Sequence, residues 1–166
     1  MADAATMTIK AVLLPDEIQK TLKDLTFAYT PADANDKWFY GLINVRHNSS
    51  RDLIAGEFLS NSAGIDTGGG TSTIATTDKI KFLFIKNTGT TDGSSSTDES
   101  VMLVFDGSAV AHSSTNAVVI DAGESWFAKL PNTTVADLHC ISADSDQTVG
   151  GGHVQCIVAA ILDDVA

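Results

Sequence analysis

The sequence predicts an all-β protein. The expected form is an antiparallel β-sandwich, jelly-roll-like or immunoglobulin-like, with an extended N-terminal arm and one candidate short helix. Three observations lead there. Short apolar runs rich in Val, Ile, Leu and aromatic residues recur along the chain, each bounded by Gly, Asn, Asp, Ser or Thr, which is the signature of strands separated by turns. Charged residues make up only 19% of the chain, below the usual quarter, so hydroxyl, amide and glycine residues carry the polar surface. At 166 residues with 43% hydrophobic content, the chain can bury one self-sufficient core. Residues 1–14 are expected to form the arm and residues 15–166 a single sandwich domain.

The elements follow in order. Met7 to Leu14, MTIKAVLL, alternates loosely until Pro15 breaks it. An apolar segment this near a terminus needs a partner, in its own domain or in a neighbour. In PDEIQKTLKDLTFAYTP, Pro15 at a first helical position and Ile18, Leu22 and Leu25 at helical spacing make a short helix plausible. Leu25, Phe27 and Tyr29 alternate as a strand. Further strands are expected at Lys37–Arg46, at Asp52–Ser60 with Gly56 as a bulge, and at Lys79–Lys86 and Val101–Phe105. The last four are Ala117–Asp121, Ser125–Leu130, Asp137–Ser142 and His153–Leu162. Gly64–Thr73, with its Gly68-Gly69-Gly70 run, reads as a flexible connection. The tract from Asn87 to Ser100 contains no His, Cys, Lys, Arg or aromatic residue. It reads as a solvated surface connection.

KFLFI, VMLVF, AVVI and CIVAAIL are continuous apolar runs where a half-exposed strand would alternate. Both faces of these strands are therefore expected to be covered, most simply by another subunit. The candidate interface residues are Met7, Ile9, Leu13 and Leu14 on the arm, and Trp38, Tyr40, Trp126 and Phe127.

Charge and motifs narrow the function classes. The net charge is −11 and the ten Lys and Arg are scattered. That excludes the basic footprint that nucleic-acid binding needs. No apolar run approaches the roughly 18–20 residues of a helical membrane span. The N-terminus lacks a signal-peptide pattern, so the protein is expected to be made and kept in a cytoplasm, or to be released by lysis. Four histidines, His47, His112, His139 and His153, and two cysteines, Cys140 and Cys156, are the reactive side chains. On strands, His139 and Cys140 point to opposite faces, as do His153 and Cys156, so neither segment supplies paired zinc ligands. A Cys–His nucleophile across that hairpin would lack an orienting third group. GESWF at Gly123–Phe127 does not match a nucleophile elbow. Asp144–Asp146 and Thr91–Gly93 could hold calcium weakly, but neither continues with the spaced oxygen ligands and distal Glu of a calcium loop. Trp38 and Trp126 are candidates for a sugar-stacking platform, with core or interface packing as the alternative. No catalytic, cofactor-binding or metal residue is assigned.

Five phrases carry a resemblance: LPDEIQKTL, YTPADANDKWFYGLINV, DKIKFLFIKNTGTTDG, AGESWFAKLPNTTVADLHCIS and VQCIVAAILDDVA. They resemble virion structural proteins of tailed bacteriophages, especially those infecting marine bacteria and cyanobacteria. The resemblance runs from about Leu14 to the end and includes no catalytic motif. It implies a non-enzymatic particle component without cofactor, a capsid decoration or cement protein on the head surface. Its expected partners are the major capsid protein or another virion protein, and itself, as a homo-oligomer with a trimer as the expected form. A tail, baseplate or head-fibre module that binds a host glycan is the alternative.

Overall fold

The computed structural model describes residues 5–9, 25–29, 36–46, 51–53, 63–66, 71–91, 93–105, 117–130, 132–142 and 153–163. The described elements are all strands apart from one 3-10 turn, Val135–Asp137. In chain order they are β1 (Ala5–Ile9), β2 (Leu25–Tyr29), β3 (Lys37–Arg46), β4 (Arg51–Asp52), β5 (Ala63–Asp66) and β6 (Thr71–Thr73). Then come β7 (Lys79–Asn87), β8 (Val101–Val104), β9 (Val118–Ile120), β10 (Ser125–Ala128), β11 (His139–Ser142) and β12 (His153–Asp163). Every ladder is antiparallel.

The strands make a six-stranded sheet in the order β10-β7-β12-β3-β5-β6, a four-stranded sheet in the order β4-β11-β8-β9, and a two-stranded ladder of β1 with β2. The first two sheets share one core. Phe39, Ile43, Leu83, Ile85, Val154, Cys156 and Val158 from the larger sheet pack with Val101, Leu103, Ile120 and Cys140 from the smaller. This is the antiparallel sandwich that the alternation of turns and apolar runs predicts. Burial alternates along β12, where Val154, Cys156, Val158 and Ala160 are buried and the residues between them are less so. A full burial of an aliphatic side chain of this size contributes about 1.5–3 kcal/mol.

One end of the sandwich is closed by a buried ion pair. Lys37, on the inner side of β3, donates to Asp78 Oδ2 at 3.0 Å and to the Thr73 carbonyl at 3.0 Å. The two side chains are 2% and 0% exposed. The Ala75 amide donates to the same Asp78 oxygen at 2.9 Å. Asp78's carbonyl accepts from the Val135 amide, and the Thr76 carbonyl accepts from the Ala136 amide. So the Lys37 ammonium joins β3 to the end of β6 and to Asp78 at the entry to β7, and the backbone carbonyls of Thr76 and Asp78 join that entry to the 3-10 turn. Thr134 and Asp137 close that turn, with the Thr134 hydroxyl donating to Asp137 Oδ2 at 2.7 Å.

One expectation needs correction. Gly64–Thr73 is not simply a flexible connection: Ala63–Asp66 and Thr71–Thr73 pair antiparallel, with Gly64 opposite Ser72. Glycines and threonines can form a ladder because backbone groups make it, and β5 is held to β3 through Trp38 opposite Ile65. The tract from Asn87 to Ser100 lies on the surface as expected, with Gly93 to Ser96 exposed, and is folded, as described below. Residues 15–24 of the candidate helix, and residues 54–60 of the expected strand Asp52–Ser60, lie outside the described residues, as do Leu13 and Leu14 of the arm; Leu25 begins β2. The described part of the arm, β1 with Met7 and Ile9, pairs within its own chain: Met7 lies opposite Phe27 and Ile9 opposite Leu25.

Removing one member of a buried pair leaves the other charge uncompensated. Asp78→Ala should therefore lower stability by about 3–5 kcal/mol in urea unfolding. Replacing both partners with apolar residues, Lys37→Met with Asp78→Leu, should cost clearly less than Asp78→Ala alone.

Candidate functional site

Among the described residues, the outer side of the six-stranded sheet is an unusual surface. Strand register places its side chains in rows. Trp38, Ile161 and Phe82 form one row. Tyr40, Ala159, Phe84 and Phe127 form the next, and Leu42, Ile157, Lys86 and Ser125 the third. The first row is covered, with Ile161 0% and Phe82 7% exposed. Beyond it the cover ends: Tyr40 is 73% exposed, Leu42 60% and Ile157 42%. These three rows contain one charged residue, Lys86, and no carboxylate. In a chain of 21 acidic residues that is a marked local departure. Exposed contiguous apolar surface of this kind marks an interaction site more often than a solvated one.

The expectation that both strand faces are covered thus holds at one end of the sheet and not at the other. On the four-stranded sheet the outer side behaves similarly. His139 and Val104 are buried there, whereas Val119 is 39% exposed.

The aromatic candidates separate. Trp126 lies opposite Ile85, an inner residue, and packs against the core and against Phe105 at 5.6 Å between ring centroids. Phe127, its neighbour, points to the outer side. Trp38 is half-buried and its indole Nε1 is buried. Tyr40 is the open aromatic of the outer face. A sugar platform on Trp38 or Trp126 would need an accessible ring, and neither tryptophan presents its whole ring to solvent.

The polar tract between β7 and β8 is a folded loop. Asn87, 0% exposed, occupies its base. Its Nδ2 donates to the carbonyls of Glu99 at 2.8 Å and Ile120 at 3.1 Å, while its Oδ1 accepts from the Gly89 amide at 2.9 Å. The Thr88 amide and hydroxyl both donate to the Gln155 carbonyl, and the Gln155 amide donates to the Thr90 carbonyl. The loop therefore extends the β7–β12 ladder before turning away. Gly89, at φ +69°, makes that turn, a conformation that suits glycine. Thr97 donates back to Gly89, and Thr91 to Ser95. Ser100 donates to Asp121 Oδ1 at 2.6 Å, which ties the loop to the β9–β10 turn. Small hydroxyl residues were legible in the sequence; the buried Asn87 that organises them was not, because asparagine is ordinarily a surface turn residue.

The reactive side chains are divided by alternation. Cys140 and Cys156 both face the core, while His139 and His153 lie on other sides of their strands. Burial pushes the Cys156 thiol up to about 12. Burial, and then the neighbouring Cys156, raises the Cys140 thiol well above its ordinary range, against a smaller opposing hydrogen bond from the Ile141 backbone. Both are thus held as neutral thiols, which are poor nucleophiles and poor metal ligands. His47, His112 and the residues Asp144–Asp146 lie outside the described residues. Among the described residues, no three His, Cys, Asp or Glu side chains gather as a metal site would require.

Two outcomes follow. Asn87→Ala strands backbone groups at the base of the loop, so it should cost about 2–3 kcal/mol in urea unfolding and speed amide exchange at Gly89 and Thr97. A neutral thiol is the folded form, so the folded state holds protons that the unfolded chain releases above 9.0. Stability should therefore fall as pH rises from 9.0 toward about 12, and this part of the fall should disappear in a Cys140→Ala, Cys156→Ala variant. Compared with protein-family models, curated proteins and solved structures, the chain matches none of them.

Proposed function

We propose that this protein is a non-enzymatic structural component of a tailed-phage virion, a self-associating decoration or cement protein that binds the head surface and stabilises contacts between capsomers. The observation that carries the reading is the outer face of the six-stranded sheet. It is apolar, carboxylate-free and open at Tyr40, Leu42 and Ile157, on a chain whose net charge is −11. Such a face suits permanent assembly, because burying it recovers hydrophobic free energy without desolvating charge.

Two further features support the reading. The phrases of the sequence resemble phage virion proteins along most of the chain. The longest described loop is built from backbone and hydroxyl hydrogen bonds, a construction that gives a durable surface without reactive groups. Cement function needs no more chemistry than this: a rigid body, a sticky face and many copies. The major capsid protein is the proposed partner on the particle.

The test is co-sedimentation of the purified protein with capsids assembled from the major capsid protein of the same phage. Saturable binding at a fixed ratio, with a raised capsid melting temperature, is the expected result. Binding to isolated tails and not to heads, or to neither, would overturn the head assignment.

A further inference from the structure

The buried contact of Lys37 with Asp78 is incomplete as a pair of ions. The two side chains are 2% and 0% exposed. Charges enclosed this far have lost their hydration, and they need hydrogen-bond partners for their remaining lone pairs. On the carboxylate the partners are uneven. Asp78 Oδ2 accepts twice, from Lys37 Nζ at 3.0 Å and from the Ala75 amide at 2.9 Å. Among the described residues, Asp78 Oδ1, also buried, has no hydrogen-bond partner. A buried carboxylate oxygen left in this way is costly, and it calls for a reason.

We propose that Lys37 and Asp78 condense to an isopeptide bond, a cross-link that the folded chain makes in itself between β3 and the entry to β7. The step needs no cofactor, oxidant or second substrate. The Lys37 ammonium passes one proton to Asp78 Oδ1 and becomes an amine. Its lone pair attacks the Asp78 carboxyl carbon. The bond from Nζ to Cγ forms and the bond from Cγ to Oδ1 breaks. Oδ1 leaves as water, carrying that proton and a second one from Nζ. One ammonium and one carboxylate become one neutral amide and one water, so atoms and charge balance.

The hydrogen bonds in place decide which oxygen leaves. The Ala75 amide holds Oδ2, steadies the negative charge that builds there during attack, and then serves the amide carbonyl. Oδ1 departs without breaking a hydrogen bond, and the orphaned oxygen disappears with it. The Thr73 carbonyl, 3.0 Å from Nζ, accepts from the nitrogen before the step and from the amide N–H after it. Both partners are set by backbone pairing. Lys37 lies between Leu162 and Asp66 in the sheet, and the Asp78 backbone bonds to Ala75 and Val135. Groups held in contact like this react as if at an effective concentration of about 10⁵–10⁸ M. The cross-link would join positions 41 residues apart. It goes beyond the virion reading and does not depend on it.

The test is the intact mass of the full chain after folding and incubation at neutral pH, measured under denaturing conditions. The expected mass is one water below that of the sequence. Water can also be lost where aspartate precedes glycine, as at Asp92 and Asp106, so trypsin is used to locate the bond. A branched peptide is expected, joining residues 24–46, uncleaved after Lys37, to residues 52–79. Lys37→Arg keeps the positive charge but offers no amine to acylate, and should retain its full sequence mass. A wild-type protein at its full sequence mass would overturn the cross-link. So would a lost water that maps to Asp92 or Asp106 with the chain still cleaved after Lys37. Neither result bears on capsid binding, so the two proposals fail separately.

Discussion

The sandwich is organised around β12, the strand that has a long ladder on each side. β3 pairs with it along ten residues and β7 along eight. Its inner side chains, Val154, Cys156, Val158, Ala160 and Leu162, are at most 1% exposed. Two saturated backbone edges and a saturated inner face leave β12 a single free surface, its outer face. Everything else takes its position from that. β7 and β3 are fixed by register to β12, the folded loop after β7 docks by continuing the same ladder through Gln155, and the smaller sheet closes the inner side.

The two ends of the core are finished by different means. At one end, Lys37 and Asp78 bring a buried charge pair between β3 and β7, with Lys37 also donating to the Thr73 carbonyl and the Ala75 amide donating to Asp78 Oδ2. Its value lies in specificity more than in net stability, since an apolar replacement of the same shape would hold the sheets as well. The carboxylate accepts from one particular lysine and one particular amide, and thereby sets how the β6–β7 connection enters the sheet. At the other end a neutral amide does the same work. Asn87 satisfies three backbone groups belonging to the loop and to β9, so the polar tract can fold against the sandwich without a charge. Reactive groups are absent from the tract for a physical reason: its fold needs small side chains that donate and accept at short range.

The outer face is the part of this architecture on which the proposed function rests. Sandwich strands bury one face against the opposite sheet, and in a monomer the other should be polar. Here the second face is apolar over several rows, and its exposure is greatest at Tyr40 and Leu42 of β3.

Much of this was legible in the sequence. Composition and the recurrence of short β-rich runs determined the all-β class, because they reflect local preferences that survive in any context. KWFYGLINVR was readable as a strand from end to end, and the chain's charge argued against a nucleic-acid surface. The continuous apolar runs announced that both strand faces would be apolar, and alternation alone separated His139 from Cys140. Other features were decided only in three dimensions. The Gly64–Thr73 segment became a hairpin because β3 offered it an edge, which no local propensity signals. Trp126 and Phe127, adjacent in sequence and grouped as interface candidates, went to opposite sides once register with β7 was set. Lys37 and Asp78, separated by 41 positions, met as a buried pair. Asn87 became the base of a folded loop. Each of these depends on which strands lie side by side, and pairing between distant segments is a property of the whole packed chain, not of any stretch of it.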